Sequence, residues 1–178
     1  MSYNLLKGKR GIIFGALNDA SIAWKVAERV VEEGAQIVLT NTAVACRMGT
    51  IDELAKKTGA TVIPADATSV EDLNNLFVKA QEALGGKIDF VLHSCAMSVN
   101  MRKKRTYDDL DYGFLDKTLD ISAISFHKML QVAKKLDALN DEASVLALTY
   151  VASHRTFFGY NDMADAKSLL ESIARSFG

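Results

Sequence analysis

Residues 11–40 read GIIFGALNDASIAWKVAERVVEEGAQIVLT, and this stretch decides the fold of the chain. It begins with a short apolar run at Gly11–Phe14, continues through an amphipathic stretch at Ser21–Glu33, and ends in a second apolar run at Gln36–Thr40. Both apolar runs are aliphatic and too continuous to be half-exposed, which predicts strands of a sheet that is covered on both faces. A strand, a crossover helix and a second strand form the unit from which parallel sheets are built.

The same alternation continues to the end of the chain. Further strands are predicted at Thr61–Ala65, Phe90–His93 and Ser144–Leu148. Further helices are predicted at Thr50–Lys57, Val70–Leu84, Tyr112–Leu136 and Tyr160–Phe177. Because such crossovers are right-handed, the pattern predicts an α/β fold with a doubly wound parallel sheet of the Rossmann type. Ligands of these folds bind beyond the carboxyl ends of the strands, so the functional residues are expected directly after each strand.

The composition excludes several classes of protein. The 178 residues carry 21 Lys plus Arg and 22 Asp plus Glu, a balance that argues against a nucleic-acid-binding protein. We find no apolar run of the ~20 residues that would cross a membrane. The two cysteines, Cys46 and Cys95, indicate neither a disulfide framework nor a metal site. We therefore expect one domain over residues 1–178, acting in the cytoplasm.

The end of the first strand is a candidate cofactor loop. Gly15 allows the backbone to turn close to a pyrophosphate, and Ser21 supplies a hydroxyl beside the free N–H groups at a helix N-terminus. The loop lacks the usual G-x-G-x-x-G pattern. An ordinary strand-to-helix turn with Ser21 as the N-cap explains the same residues.

The end of the second strand bears on the choice between NADH and NADPH. An acidic residue there would hold a ribose 2′-hydroxyl, and an arginine would favour a 2′-phosphate. The chain has the neutral residues Asn41 and Thr42, of which Thr42 is a candidate cofactor contact. Arg10 and Arg47 are the nearest basic residues, and neither is at the tip of the strand, which favours NADH and leaves NADPH open.

The end of the fifth strand carries the candidate catalytic residues Tyr150, Tyr160 and Lys167. Lys167 follows Tyr160 by seven residues, and at ~100° per residue that spacing returns to nearly the same face of a helix. Both side chains can then point into one cleft. Each residue alone is also explained as a packed aromatic or a solvated lysine, and it is the combination at one strand end that indicates a site.

These motifs resemble those of enoyl-acyl-carrier-protein reductases, a divergent branch of the short-chain dehydrogenase/reductase family. The resemblance rests on a glycine followed after five residues by Ser-Ile-Ala, beginning at Gly15, and on the Tyr150, Tyr160 and Lys167 spacing. It implies the strand order 3-2-1-4-5, with the later strands of the family missing from this chain. It also implies the reduction, in fatty acid biosynthesis, of the 2,3 double bond of trans-2-enoyl thioesters on acyl carrier protein.

The resemblance also implies roles for individual residues. Tyr160 would donate to the thioester oxygen, Lys167 would hold the nicotinamide ribose and lower the pKa of the phenol, and Tyr150 would close the pocket. Substrate-binding residues are then Ser98, Tyr150 and Tyr160. Besides Thr42, cofactor-binding residues are Gly15, Ser21, Ile22, Asp66, Ala67, Ser94, Cys95, Ala96 and Lys167.

The chain departs from the family pattern in two respects. The family continues past the helix ending near Phe177, so the chain is expected to be incomplete at its C-terminus and to expose a sheet edge. Cys95-Ala96 stands where the family usually has Ile-Gly, and the methyl group of Ala96 would crowd the cofactor if that glycine is required. These departures keep open a non-catalytic dinucleotide-binding fragment, and a reductase acting on carbonyls is a further alternative.

Two parts of the sequence bear on binding to other protein chains. The family packs its long helices, here Tyr112–Leu136 and Tyr160–Phe177, between the subunits of a homotetramer. The basic run Arg102-Lys103-Lys104-Arg105 follows the fourth strand near the expected pocket mouth. It is either a solvated loop or a landing surface for an acidic carrier protein.

Overall fold

The computed structural model describes residues 2–178 and contains one parallel sheet of five strands in the order β3-β2-β1-β4-β5. The strands are β1 Arg10–Phe14, β2 Gln36–Thr40, β3 Thr61–Val62, β4 Ile88–His93 and β5 Leu139–Ala147. Every adjacent pair is parallel. The predicted α/β class and the predicted strand order are both confirmed.

Eight α-helices connect the strands or follow them in the described residues. They are α1 Ile22–Glu32, α2 Ala43–Met48, α3 Ile51–Thr58, α4 Val70–Leu84, α5 Val99–Arg102, α6 Tyr112–Leu119, α7 Ser125–Lys135 and α8 Asn161–Phe177. Within residues 2–178, none of them combines the length and apolarity that a membrane-crossing helix needs.

The sheet is covered by a hydrophobic cluster on each face. Phe14 and Val38 face one cluster, in which Phe77 of α4, Phe126 of α7 and Leu170 of α8 are buried. The intervening strand residues face a second cluster formed with α1 and α3, which buries Ile13, Leu39, Trp24, Ile51 and Leu54. Alternate strand residues therefore enter opposite clusters, as period-two geometry requires.

The two outer strands differ most from their predicted bounds. β3 ends at Val62 although the prediction continued to Ala65. Pro64 has no N–H to donate, while the N–H groups of Ile63 and Ala65 still bond to β2 and to Asn41 at 3.0 Å each. β5 begins five residues before the predicted Ser144, and its register against β4 shifts between Ile88 and Phe90. A register shift of this kind hides the start of a strand from periodicity alone.

The predicted helix Tyr112–Leu136 contains an irregularity. A π-helical segment, Asp120–Ile124, separates α6 from α7. The short helices α2 and α5 were not predicted. Helix α4 begins with half of a capping box: Ser69 Oγ accepts the Asp72 N–H at 3.1 Å, but the Asp72 carboxylate accepts the N–H of Asp66 rather than that of Ser69.

β5 forms the edge of the sheet next to the last helix. Among the described residues it pairs only with β4, and Leu146 is 57% exposed. A cavity of about 480 Å³ lies beside it, lined in part by Leu139, Val145 and Phe177. The expected open edge is therefore present in the structure.

Candidate active site

The two candidate phenols meet beyond the end of β5. The rings of Tyr150 and Tyr160 stack with their centroids 4.6 Å apart and their planes at 30°. Phe157 packs edge-on against both rings, at 5.4 Å from Tyr150 and 5.9 Å from Tyr160. Tyr150 follows β5 in the chain and Tyr160 precedes α8, so the loop between them folds back to join these rings.

Lys167 lies inside the structure at the same end of β5. Its side chain is buried, and its Nζ donates to the main-chain oxygen of Leu148 at 2.7 Å. Burial lowers the pKa of this amine from its ordinary value, while Cys95 acts in the opposite direction. Tyr160 is the N-cap of α8 and the following Asn161 has a left-handed φ of 42°, so the predicted helical spacing from Tyr160 to Lys167 is interrupted at the start of the helix.

The pKa of Tyr160 differs from the expectation. The sequence predicts that Lys167 lowers it, whereas in the structure burial raises it and Tyr150 raises it further. The phenol of Tyr160 therefore keeps its proton at neutral pH and is a hydrogen-bond donor.

Gly15 brings three strand ends together. Its φ of 87° is left-handed, and a Cβ built on it would lie 2.1 Å from the main-chain oxygen of Ser94. Its N–H donates to Thr40 O at 3.0 Å. A residue with a side chain cannot occupy this position unless the end of β4 moves, and that explains why the loop carries its one glycine here.

The side chain of Ser21 closes the loop after β1 and does not cap α1. Its Oγ accepts the N–H groups of Leu17 at 3.2 Å and Asn18 at 3.3 Å, and its hydroxyl donates to Asn18 O. The residue occupies the N-cap position of α1, as the alternative interpretation predicts, although its side chain makes no capping hydrogen bond. The adjacent Ile22 is 62% exposed and presents an apolar surface beside this loop.

Thr42 begins the short helix α2 directly after β2. Its Oγ1 accepts the Ala45 N–H at 3.2 Å, and the Asn41 side chain donates to Ala16 O at 3.1 Å, joining the first two strand ends. Arg47 lies in the last turn of α2 and is exposed. The polar groups at the strand tip itself are neutral, as the sequence indicates.

Asp66 folds its carboxylate onto its own loop. Its Oδ1 accepts from the N–H of Thr68 at 2.9 Å and from the hydroxyl of Thr68 at 2.7 Å. Asp66 is exposed and Ala67 is buried. An exposed aspartate held in one orientation at a strand end is suited to bind a hydroxyl or an amine.

Ser94, Cys95 and Ala96 follow β4 and differ in exposure. Cys95 packs against the core, and burial raises the pKa of its thiol to about 12, so the thiol is not a nucleophile at neutral pH. Ala96 is exposed, and its φ is not positive. The backbone conformation at this position therefore does not itself require a glycine.

Ser98 is placed differently from its predicted role in the substrate pocket. It is buried, its hydroxyl donates to Asp162 Oδ1 at 2.6 Å, and its Oγ accepts the N–H of Met101 at 3.0 Å. Asn100 and Thr118 bind the other carboxylate oxygen of Asp162.

The sequence reasoning missed this cluster, although one signal could have found it. Asp162, Ala166 and Leu170 recur every four residues, and all three are buried, which places a charged residue on the apolar stripe of α8.

His93 is buried at the end of β4. Its Nε2 lies 2.9 Å from Ser125 Oγ, and its Nδ1 has no hydrogen-bond partner among the described residues. Burial lowers the pKa of His93 to about 4, with a smaller contribution from Lys167. The ring is neutral at physiological pH. Among residues 2–178, no three His, Cys, Asp or Glu side chains group as metal ligands.

A cavity of about 820 Å³ lies beside the aromatic cluster. Its wall includes Phe157 and Phe158 from the loop after β5, with Asn161 and Ala164 from α8. The wall does not include Tyr150, Tyr160 or Lys167. Phe157 forms part of the wall and also packs against both stacked tyrosines. Phe158 is fully exposed at its rim.

Two residues of the basic run after β4, Arg105 and Lys103, contact neighbouring side chains. Arg105 forms an ion pair with Asp109 at 3.1 Å, and Lys103 Nζ lies 4.7 Å from the centroid of the Phe114 ring. Asp108 and Asp111 follow within the same loop. This arrangement favours the solvated-loop interpretation over a landing surface.

Comparison with known proteins relates the chain to one family. Residues 15–178 match the family described as "Enoyl-(Acyl carrier protein) reductase". A relative from Rickettsia bellii, named enoyl-[acyl-carrier-protein] reductase [NADH] FabI, is 34% identical over 98% of this chain and 66% of its own length.

Solved structures give the same result. FabI from Alistipes finegoldii in complex with NADH is 72% identical with a TM-score of 0.97, covering 99% of this chain and 62% of that one. The Bacillus cereus enoyl-acyl carrier protein reductase, solved with NADP+ and indole naphthyridinone, is 30% identical with a TM-score of 0.85, covering 97% and 66%. The chain thus spans about two thirds of the length of these relatives.

Proposed function

This chain belongs to the enoyl-(acyl carrier protein) reductase family, and we propose that the protein reduces the 2,3 double bond of trans-2-enoyl thioesters. The substrate is an enoyl thioester on acyl carrier protein, the hydride donor is NADH, and the reaction serves fatty acid biosynthesis. The observation that supports the proposal is that Tyr150 stacks on Tyr160 beyond the end of β5, where the buried Lys167 donates to Leu148 O.

The residues at the strand ends fit a dinucleotide. Gly15 keeps the backbone of the first loop within reach of a pyrophosphate, and Ser21 fixes the shape of that loop. Asp66 and Ala67 would border the adenine, and Ser94, Cys95 and Ala96 would run along the nicotinamide ribose. Ile22 and Thr42 complete the proposed contacts. When bound, the cofactor supplies the hydride that is added to the β-carbon of the substrate.

Two groups act on the charge that develops on the thioester oxygen. Tyr160 keeps its proton because its pKa is raised, and its hydroxyl donates to this oxygen as the enolate forms. Lys167 holds the ribose hydroxyls and adds positive charge nearby. Tyr150 stacks on Tyr160 and limits its movement. We place the acyl chain in the cavity next to Phe157.

NADH is preferred over NADPH because the tip of β2 carries Asn41 and Thr42, which offer no positive charge for a 2′-phosphate. The names of the Rickettsia relative and the Alistipes complex include NADH, which supports this choice. The Bacillus cereus enzyme was solved with NADP+, so both cofactors belong in the assay.

The test is a turnover assay with the whole protein. Purified protein is mixed with NADH and a crotonyl thioester, and the loss of reduced-nicotinamide absorbance is followed. Loss with the thioester supports the proposal. Loss only with ketones would identify a carbonyl reductase, and binding of NADH without turnover would identify a non-catalytic module.

Two substitutions assign the roles. We expect Tyr160→Phe to lower kcat by about 10² or more with a small change in the Kd for NADH, because the lost donor acts in the transition state. We expect Lys167→Ala to lower kcat and also to weaken the binding of NADH. Tyr3→Phe and Lys79→Ala, which alter exposed residues outside the proposed site and subunit contacts, are the matched controls. Unchanged turnover of Tyr160→Phe would remove that residue from the mechanism.

We further propose a homotetramer in the cytoplasm. The helices α6 to α8 are the proposed subunit contacts, and the free thiols of Cys46 and Cys95 suit a reducing compartment. Light scattering coupled to size-exclusion chromatography measures the assembly directly. A monomer at assay concentration would contradict the tetramer.

A further inference from the structure

Asp162 is a buried carboxylate that no cation pairs with. It is 0% exposed, and in the described part of the chain no basic side chain forms an ion pair with it. Its Oδ1 accepts from Ser98 Oγ at 2.6 Å, and its Oδ2 accepts from Asn100 Nδ2 at 2.9 Å and Thr118 Oγ1 at 2.8 Å. Because burying an ionised group is costly, donors that bind it in this number indicate a specific arrangement.

The donors come from different elements of the chain. Ser98 is the N-cap of α5, Asn100 lies within α5, and Thr118 belongs to α6. The Asn100 side chain also binds the main chain of Asp111: its Oδ1 accepts the Asp111 N–H at 3.1 Å, and its Nδ2 donates to Asp111 O at 3.2 Å. The segment that follows β4 and the last turn of α6 are thus joined to the start of α8 at one carboxylate.

The backbone beside Asp162 is also unusual. Asn161 has a φ of 42°, a left-handed conformation, although it is the first residue of α8. Its side chain donates to Arg105 O, which fixes it to the same segment after β4. A left-handed residue other than glycine persists when its surroundings hold it, and here it sets the direction in which the chain leaves Tyr160 and enters the helix.

The network therefore lies between the two halves of the proposed site. On one side, Ser94, Cys95 and Ala96 precede Ser98 and are separated from it by Met97. Tyr160 lies two residues before Asp162 and Lys167 five residues after it on the other. Any change in the length of these hydrogen bonds moves α8 relative to the end of β4.

We propose that Asp162 is a positioning residue for enoyl reduction: with Ser98, Asn100 and Thr118 it sets the distance between the Tyr160 hydroxyl and the strand end that holds the nicotinamide. The inference rests on the function proposed above. Asp162 touches neither substrate nor cofactor and acts through Tyr160.

The experiment uses Asp162→Asn in the whole protein, because asparagine keeps the size of the side chain and places an amide N–H₂ against a donor. We expect kcat with NADH and a crotonyl thioester to fall at least tenfold, since small displacements of a catalytic group have effects of this size. We expect the Kd for NADH, measured by fluorescence, to change less than about threefold, because the adenine end is distant from the change. Asp52→Asn, the same exchange at an exposed residue of α3, is the control and keeps full turnover.

A double-substitution cycle separates positioning from general damage. If Asp162 acts through Tyr160, Asp162→Asn has little further effect on kcat in a Tyr160→Phe background. An equal loss in both backgrounds would contradict the inference, and so would Asp162→Asn turnover within twofold of the unsubstituted protein. Should Asp162→Asn fail to fold, Ser98→Ala and Thr118→Val, which each remove one donor, take its place in the same cycle.

The outcomes also separate this inference from the function on which it rests. No NADH oxidation by the unsubstituted protein would contradict the proposed function, and the inference with it. Full activity of both the unsubstituted protein and Asp162→Asn would contradict the inference alone.

Discussion

Helix α8 is held on two sides, and the two sides are built differently. On the β4 side, the carboxylate of Asp162 is buried with Ser98 and Asn100. On the β5 side, Glu171 Oε1 accepts from the hydroxyls of Thr149 and Ser153 at 2.6 Å each, and its side chain is 28% exposed. On each side, a carboxylate accepts from two serine or threonine hydroxyls, and the Asn100 amide adds a third donor on the β4 side. Water reaches only the carboxylate on the β5 side.

The difference teaches where rigidity comes from in this site. A hydrogen bond lost near water is replaced by one to a water molecule, whereas a donor orphaned in the interior keeps its full desolvation cost. The β4 side therefore fixes the position of α8, and the β5 side adjusts without much loss. The same chemical groups have unequal effects because of burial.

The largest expected effect is that of Asp162→Ala. It leaves the donors of Ser98 and Asn100 without partners in the interior, and we expect the free energy of unfolding to fall by roughly 4 kcal/mol. Glu171→Ala, the matched change on the other side, should cost less than about 1 kcal/mol. Urea denaturation followed by circular dichroism measures both free energies. Equal losses would contradict the conclusion that the buried side holds α8 more firmly than the exposed side.

The next effect concerns pH. His93 lies on the β4 side with a pKa of about 4, below the ordinary value of 6.5. As the pH falls through 6.5 the unfolded chain takes up a proton that the folded protein does not, so stability decreases until the pH reaches about 4. We expect a loss of about 3 kcal/mol over this window. In His93→Gln, measured by urea denaturation at several pH values, this part of the pH dependence should vanish.

A smaller effect separates two serines. Ser98→Ala removes a buried donor to Asp162, and we expect a loss of roughly 2 kcal/mol. Ser153→Ala removes a half-exposed donor to Glu171 and should cost about 0.5 kcal/mol. Thermal unfolding of the pair measures the difference. A larger loss for Ser153→Ala would mean that the β5 side is the more rigid anchor.

The smallest effect is that of Glu171→Gln. The hydroxyls of Ser153 and Thr149 lower the pKa of Glu171 from its ordinary value of 4.5. A lowered pKa contributes stability above pH 4.5 that is lost as the pH falls through the folded-state pKa. Glu171→Gln should therefore change stability by less than about 1 kcal/mol at neutral pH and weaken the acid dependence slightly. An acid-unfolding curve compared with that of the unsubstituted protein checks this.

The sequence predicted the framework of the fold well, for a physical reason. Strands buried on both faces, such as Gln36–Thr40, are continuous apolar runs, and β2 has these bounds. Helix α4 is bounded by Ser69 and Gly85, and its predicted limits Val70–Leu84 are those of the structure. Signals of this kind are local, and the parallel sheet order then follows from the family resemblance.

The site was predicted less completely because its decisive contacts are not local. The spacing of Tyr160 and Lys167 predicted one shared helix face, but it could not show that α8 begins after Tyr160 or that Tyr150 stacks on Tyr160. The prediction for Ser98 missed its bond to Asp162, 64 residues away in the chain. Periodicity cannot report contacts over such a separation.

The π-helical segment Asp120–Ile124 contains one residue more than a regular helical turn would use. It carries Ser122, whose Oγ accepts the N–H of Met97 at 3.0 Å in the segment after β4. Deleting one residue from this segment would restore regular winding and rotate α6 by ~100° about its axis relative to α7. Deleting a single codon here should therefore be far less tolerated than a point substitution at the same positions. The number of residues in this segment, more than their identity, is what selection must preserve.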